Sequence, residues 1–168
     1  MSRKRQATSR DNYYQTLVAR NIEYSVHVFN EEVIALPIPR VASANGKAWC
    51  FEILRIAVTP TFVISVAASM LFEISTIHQT AIFFHDPRVI LRYNLLGSAA
   101  AAGSFEYEPG KVFDYEVADR GLLIGTDTLY TGLLCAGNAA LAAVDIMISY
   151  RLTQVPQSEF IGILQSQQ

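Results

Sequence analysis

An all-β sandwich is the fold class that this sequence predicts. Its clearest element is residues 144–152, where Val144, Ile146, Ile148, Tyr150 and Leu152 occupy one face at period two. Such alternation is typical of a strand with one buried face. About eight to ten short segments of this kind follow one another between turn signals, and no helical period is sustained. Together these features predict a sandwich or barrel.

The chain is predicted to begin with a basic, partly disordered arm over residues 1–20, followed by one folded domain over residues 21–168. A first strand is predicted over residues 22–29, and a turn at residues 30–32. A second strand over residues 33–38 ends between Pro37 and Pro39. Proline cannot donate a hydrogen bond in a central ladder, so this strand is expected at a sheet edge.

A long strand is predicted over residues 48–58, and Pro60 is predicted to end it. This segment is apolar at nearly every position, which favours a strand covered on both faces. One helical turn is predicted around residues 159–163. Further strands are predicted over residues 62–67, 71–77, 89–96, 111–117, 122–134 and 144–152.

Composition and charge restrict the possible partners. Hydrophobic residues make up 51% of the chain and charged residues only 17%, so an unusual amount of apolar surface must be hidden in a core, against other subunits or in lipid. The first ten residues carry four basic groups and no acid. The other 9 basic and 15 acidic residues give residues 11–168 a net charge of -6. The arm is therefore the part of the chain suited to a polyanion.

A small integral membrane subunit is an alternative that the hydropathy leaves open. Two windows of 17 residues, 56–72 and 128–144, contain no charged residue and reach the short limit of a spanning helix. Pro60 interrupts the first window, and Gly132 and Gly137 interrupt the second. The only two cysteines, Cys50 and Cys135, lie in apolar segments and are predicted to be buried free thiols.

No catalytic motif is present, so the chain is not expected to be an enzyme or to need a cofactor. The three histidines, His27, His78 and His85, are scattered. The densest acidic cluster supplies weak candidate ligands for a structural Ca²⁺ ion, because hard cations take several carboxylate oxygens. A solvated strand edge explains the same residues without a metal. The candidate ligands are Glu106, Glu108, Asp114 and Glu116.

Two kinds of binding are consistent with the remaining features. The basic side chains of the arm can neutralise phosphates without reading sequence, and they are Arg3, Lys4, Arg5 and Arg10. A soluble β-sandwich that binds a ligand on a concave aromatic patch is a further alternative. Tyr107, Phe113 and Tyr115 are the candidate patch, although core packing also explains them.

Three strings near the end of the chain resemble the last strands of small single-jelly-roll viral capsid proteins, especially those of viruses with small circular single-stranded DNA. They are GLLIGTDTLYTG at residues 121–132, AAVDIMISYRLTQV at residues 142–155 and SEFIGIL at residues 158–164. FEILRI at residues 51–56 is similar to an early long strand of that family. Thr80-Ala81, followed by DPRVI at residues 86–90, is similar to a mid-chain turn and strand.

This resemblance implies an eight-stranded jelly roll, many copies of which close an icosahedral shell around a viral DNA or RNA genome. The implied partners are other copies of the chain and the genome, with no membrane. Arg3, Lys4, Arg5 and Arg10 match the inward-facing arm of the family. The arm is shorter and less basic here than in many members, which leaves a minor coat role open. The implied location is the virion, after assembly in the cytoplasm or nucleus of a host cell.

Overall fold

The computed structural model describes residues 15–22, 27–39, 46–61, 69–82, 86–96, 110–116, 120–137 and 141–167. Strands dominate these residues, and one helix ends them. The elements are β1 Gln15–Ile22, β2 Asn30–Ala35, β3 Lys47–Thr61, β4 Ser69–Ser75, β5 Val89–Leu96, β6 Lys111–Asp114, β7 Leu122–Ile124, β8 Thr128–Ala136, β9 Ala143–Pro156 and α1 Gln157–Gln167.

The strands form two antiparallel sheets with jelly-roll topology. One sheet has the order β1-β9-β3-β6, with β7 also paired to β3, and the other has the order β2-β8-β4-β5. β6 pairs with residues 55–58 of β3 and β7 with residues 51–53, so these two short strands share one position beside β3. The strand segments of the described residues therefore fill eight positions. The predicted all-β, eight-stranded jelly roll is confirmed.

The core lies between the two sheets, and β9 shows how the sequence produces it. Val144, Ile146 and Ile148 are buried, whereas Met147 on the opposite face is exposed. The period-two pattern predicted for this strand is thus confirmed, and the strand continues to Pro156. Phe51 stacks on Tyr150 across β3 and β9, with ring centroids 4.2 Å apart. The largest fully buried side chains include Phe51, Phe72, Ile53, Ile56, Met70, Ile74, Ile124, Leu129 and Leu133.

A β-bulge explains why β3 is apolar at almost every position. Ile53 pairs with Tyr150 and Arg55 with Ser149, so Leu54 is an extra residue in the ladder. The bulge reverses the side-chain alternation. Phe51 and Ile53 face the core before it, and Ile56 and Val58 face the core after it.

The end of β3 differs from the prediction, because the strand continues through Pro60 to Thr61. β6 pairs with β3 only as far as Val58, while β9 pairs with it beyond Pro60. Within the described residues, the strand is therefore paired on one side at the proline. A proline is tolerated at such an edge position.

The first two strands also differ from the prediction. Residues 15–20, which the sequence assigned to the arm, belong to β1, the outer strand of its sheet. Residues 27–29 lie outside any strand, and His27 has a positive φ of 65°. Residues 30–32 are not a turn, because β2 begins at Asn30. Glu31 looks like a turn residue in the sequence, but its carboxylate has partners across the sheet, namely His78 and the backbone of Gln79.

Smaller differences concern the second half of the chain. The strand predicted over residues 122–134 is two strands, β7 and β8, which belong to different sheets. β6 ends at Asp114, earlier than predicted. The predicted helical turn around residues 159–163 is part of an 11-residue helix, α1.

Both windows considered as membrane spans contain strands where the structure describes them. Residues 56–61 belong to β3, residues 69–72 to β4, and residues 128–136 to β8. Among the described residues, no helix has the length and apolarity needed to cross a bilayer.

Candidate functional site

The four basic residues predicted to bind nucleic acid lie outside the described residues, and they are Arg3, Lys4, Arg5 and Arg10. The structure does show where the segment that carries them joins the fold. β1 begins at Gln15 and pairs with β9 at the outer side of the five-stranded sheet. The arm therefore enters the fold at the edge of a sheet.

The predicted acidic cluster is only partly described. Glu106 and Glu108 lie outside the described residues. Arg55 Nε donates to Asp114 Oδ1 at 2.6 Å. Glu116 lines a shallow groove together with Leu54, Arg55, Asp114 and Ser149. Across the described part of the chain, no group of three or more His, Cys, Asp or Glu side chains is arranged to hold a metal ion.

The histidines have separate local environments. His27 Nε2 accepts a hydrogen bond from the backbone N–H of Gly137 at 3.2 Å. His78 contacts Glu31, and His85 lies outside the described residues. Asp86, which follows His85 in the sequence, is held by hydrogen bonds from Arg88. Hydrogen bonds from the Arg88 side chain and backbone lower the pKa of the Asp86 carboxyl to about 2.

The candidate aromatic patch is not an open binding surface in its described part. Phe113 and Tyr115 pack against the core, while Tyr107 lies outside the described residues. The Tyr115 hydroxyl donates to Ile90 O at 2.8 Å, which ties one sheet to the other. Burial raises the pKa of Tyr115 to about 12. These two aromatic side chains therefore serve core packing.

The outer face of the five-stranded sheet is covered over one half by α1. Beneath this half, Arg151 donates two hydrogen bonds to the buried Glu52 carboxylate, at 2.7 and 2.6 Å. Glu52 also accepts the backbone N–H of Gly121 at 2.8 Å. Cys50 is buried near Glu159 of α1, and burial with the nearby carboxylates raises the pKa of its thiol to about 11. Cys50 and Cys135 are buried free cysteines, as predicted.

The end of α1 is fixed by one glutamine. Gln167 Nε2 donates to Leu123 O at 2.7 Å, and Gln167 Oε1 accepts from Gly125 N at 3.0 Å. Its amide thus binds the backbone of Leu123 in β7 and of Gly125 just after β7, as a neighbouring strand would. Gln167 O also accepts a hydrogen bond from the Thr76 hydroxyl at 2.9 Å.

The second half of the same face, which we call the open half, carries two exposed ion pairs. Arg20 on β1 lies 3.2 Å from Asp145 on β9. Arg55 on β3 pairs with Asp114 on β6. The residues between these pairs include Val18 and Met147, which are exposed although apolar.

Residues outside the strands cover the centre of the outer face of the four-stranded sheet. Phe29 lies over Gly132, where an added Cβ would be 2.8 Å from the Phe29 ring. Beside it, the buried carboxylate of Glu73 pairs with Arg92 at 3.4 Å. Glu31 on β2 accepts the backbone N–H of Gln79 at 2.6 Å, and this bond holds the loop after β4 against β2.

A buried amide cluster connects β1 of one sheet to β2 and β8 of the other. Asn21 Nδ2 donates to Thr131 O at 2.7 Å, and Asn30 Nδ2 donates to Asn21 Oδ1 at 2.7 Å and to Ile22 O at 2.8 Å. These bonds pair the polar groups that would otherwise be unsatisfied inside the sandwich. Sequence reasoning did not identify this cluster, the Glu52–Arg151 pair or the Gln167 contact. Each joins residues far apart in the chain, and no local pattern marks them.

No protein-family model matches the sequence, and no curated protein sequence matches it. Solved structures do match the fold. VP1 of human polyomavirus 12, in complex with 3'-sialyllactosamine, has a TM-score of 0.52 and 6% identity over 85% of this chain and 99% of that chain.

Two other solved structures are similar to a lesser degree. The VP1 pentamer of human polyomavirus 7 has a TM-score of 0.48 and 7% identity over 86% of this chain and 96% of that chain. Apo VP1 of New Jersey polyomavirus has a TM-score of 0.47 and 8% identity over 77% of this chain and 82% of that chain. At these identities the likeness concerns the fold alone, and the fold that this chain shares with human polyomavirus 12 VP1 is a jelly roll.

Proposed function

We propose that this chain is a viral capsid protein that self-assembles into a shell around a nucleic acid, with its basic arm on the genome side. The observation that carries this proposal is the jelly-roll order of both sheets, β1-β9-β3-β6 and β2-β8-β4-β5. The resemblance of the last strands to small viral capsid proteins supports it. So does the match to nearly the full length of one VP1 chain.

The surface chemistry is consistent with a subunit that other copies cover. Several large apolar side chains are exposed on the sandwich, including Val18, Val112 and Met147. Exposed apolar side chains favour contact with other protein surfaces when they form a continuous patch. The role is structural, in keeping with the lack of a catalytic motif in the sequence, and its location would be the virion.

The arm is proposed to contact the genome through charge. Arg3, Lys4, Arg5 and Arg10 precede a body whose net charge is -6, so the arm is the favourable place for phosphate to bind. Contacts of this kind depend on salt and are independent of sequence. Either DNA or RNA would satisfy them. A Ca²⁺ ion shared between subunits at the acidic cluster of Glu106, Glu108, Asp114 and Glu116 is a second proposal, testable by chelation.

Electron microscopy and light scattering of the purified full chain test the proposal. We expect closed particles of uniform diameter, with nucleic acid inside that resists nuclease until the particles are opened. Chelation should leave the particles intact unless a bound Ca²⁺ ion joins subunits. A chain that stays monomeric across a wide range of salt and pH would contradict the shell function.

A further inference from the structure

The open half of the five-stranded sheet carries a continuous apolar row across four strands. Val18 on β1 pairs with Met147 on β9, Met147 with Ala57 on β3, and Ala57 with Val112 on β6. Directly paired residues of antiparallel strands point to the same face. Val18 is 74% exposed, Val112 53% and Met147 44%. We call these four residues the apolar row.

Polar rows flank the apolar row on both sides. On one side lie Arg20, Asp145 and Thr59, with Gly110 beside Thr59. On the other side the sequence of paired residues is Thr16, Ser149, Arg55 and Asp114. The charged residues therefore occupy β1 and β9 on one side and β3 and β6 on the other. Because of this diagonal arrangement, a second copy of the same face can pack on the open half without bringing like charges together.

We propose that the open half is a contact surface for a second copy of this chain, related by a twofold axis that runs parallel to the strands between β9 and β3. This proposal rests on the proposed shell function and names one of the contacts within the shell. An isologous contact of this kind brings the same patch of both copies together.

The twofold axis gives complementary shape at the centre of the contact. It places β9 of one copy over β3 of the second and β1 over β6. Met147 then faces Ala57 of the second copy, and Val18 faces Val112 of the second copy. A large side chain meets a small one at the centre, as well-packed sheet faces require.

The same axis also keeps like charges apart. Asp145 faces Thr59 of the second copy, and Arg55 faces Ser149 of the second copy. Asp114 faces Thr16 of the second copy in the same way. Each charged side chain keeps its ion pair within its own copy and meets a hydroxyl or glycine across the contact. Because no like charges face each other, the contact avoids the repulsion that would exclude a second copy.

The area of the open half indicates how strong this contact is. Four strands about 4.8 Å apart, over the five residues of each strand that the three rows span, with a rise of about 3.4 Å per residue, give about 330 Å² on each copy. The two copies together bury about 650 Å², which is below the roughly 1,000 Å² of a specific interface. The contact is therefore weak for an isolated pair and becomes effective when a shell supplies further contacts to the same subunits.

A charge placed in the apolar row tests the proposal. Met147→Glu should weaken self-association at least about tenfold, because the carboxylate is desolvated against Ala57 of the second copy without a partner. Val33→Glu is the matched control, since Val33 is 61% exposed on the other sheet. Sedimentation velocity over a concentration series and particle counts by electron microscopy are the measurements. Unchanged thermal melting shows that both variants fold.

A mixing experiment tests the direction of the axis. Ala57→Lys alone should also weaken self-association. Mixing it with Met147→Glu chains should restore association, because the introduced carboxylate of one copy then faces the introduced ammonium group of the second. An axis perpendicular to the strands would bring each position of the apolar row over itself, so Met147→Lys chains would then restore association with Met147→Glu chains better than Ala57→Lys chains do. That result overturns the proposed axis.

The outcomes separate this proposal from the proposed function. If Met147→Glu and Val33→Glu both form particles like the unchanged chain, the shell function stands and the contact surface is wrong. If Val33→Glu alone blocks assembly, the contact lies on the four-stranded sheet, which also overturns it. If the unchanged chain forms Met147-dependent dimers and no particles, the contact surface stands and the shell function fails.

Discussion

At the scale of single residues, the closest backbone approaches in this sandwich leave no room for a side chain. A Cβ added at Gly121 would lie 2.2 Å from Ile53 O and 3.1 Å from Glu52 Cγ. Gly121 also donates its backbone N–H to Glu52, so the chain cannot move away without breaking that bond. Gly162 on α1 is the opposite case, because nothing lies within 4 Å of a Cβ there.

Replacing these two glycines by alanine should change the free energy of unfolding in opposite directions. Gly121→Ala should lower the free energy of unfolding by about 1–3 kcal/mol, because the backbone of β3 must shift. Gly162→Ala should raise it by about 0.5–1 kcal/mol, because alanine loses less conformational entropy in a helix. Urea unfolding followed by circular dichroism measures both. Equal effects at the two positions would contradict the close approach of Gly121 to β3.

The Glu52–Arg151 pair predicts a large loss when one partner is removed. The Glu52 side chain is 4% exposed and that of Arg151 is 17% exposed. Arg151→Ala should lower the free energy of unfolding by about 3–5 kcal/mol, because it leaves a buried carboxylate without its cation. Arg20→Ala is the control, since an exposed pair contributes less than about 1 kcal/mol.

Replacing both members of the buried pair gives a further check by urea unfolding. Chains carrying Glu52→Met and Arg151→Met together should be more stable than Arg151→Ala alone, because no buried charge remains unpaired. A double variant that is less stable than Arg151→Ala would show that the bond from Gly121 to Glu52 matters more than the charge pair.

At the scale of elements, α1 depends on its last residue more than on an apolar face. Gln167 joins β7 through both amide atoms, whereas Gln165 is exposed on the same helix. Gln167→Ala should lower the free energy of unfolding by about 1–3 kcal/mol, because the part-buried backbone groups Leu123 C=O and Gly125 N–H lose their partners. Gln165→Ala should change it by less than about 0.5 kcal/mol.

The loss of the Gln167 contact should also be visible at a cysteine. Cys50 is buried near Glu159 of the same helix. If Gln167→Ala loosens α1, a thiol reagent at neutral pH should label Cys50 faster than in the unchanged chain. Cys135, which is buried elsewhere in the core, serves as the internal reference. Equal labelling of both cysteines would indicate global unfolding instead of local opening of α1.

Elements whose structure depends on their own residue pattern were predicted correctly, whereas elements that depend on contacts elsewhere in the chain were not. β9 was predictable because its inward residues alternate without interruption. β5 also has the predicted bounds. The start of β2 was not predictable, because Asn30 and Glu31 are polar residues whose partners, such as Asn21 and His78, lie outside β2. α1 was underestimated because its polar residues obscure a helical pattern, and a tertiary contact fixes its end.

The candidate site could be predicted only in part. The exposed row on the five-stranded sheet requires knowing which residues of β1, β9, β3 and β6 lie side by side. The bulge at Leu54 shifts that register and hides it from a period-two reading of β3. The basic arm, by contrast, can be predicted from composition alone, because its four positive charges lie within ten consecutive residues.

At the scale of the whole molecule, charge and fold divide the chain into two chemically different parts. The body is acidic and built of two sheets, whereas the first ten residues are basic. β1 connects the two parts at the edge of the five-stranded sheet, whose open half carries the proposed subunit contact. The core residues all follow the arm in the chain, so nucleic acid bound to the arm would not disturb the core.

This division predicts that the arm can be altered without loss of folding. Replacing Arg3, Lys4, Arg5 and Arg10 by glutamine keeps the arm length and removes its charge, whereas deletion of residues 2–10 removes both. Each change should lower the nucleic acid content of purified particles, measured by absorbance ratio and nuclease protection, with thermal melting unchanged. For single strands, removing four phosphate contacts should reduce the salt slope of binding by up to about 3.

The control replaces Gln6, Thr8 and Ser9 by alanine, which keeps every charge and should package normally. If the glutamine variant packages as much nucleic acid as the unchanged chain, the arm does not hold the genome.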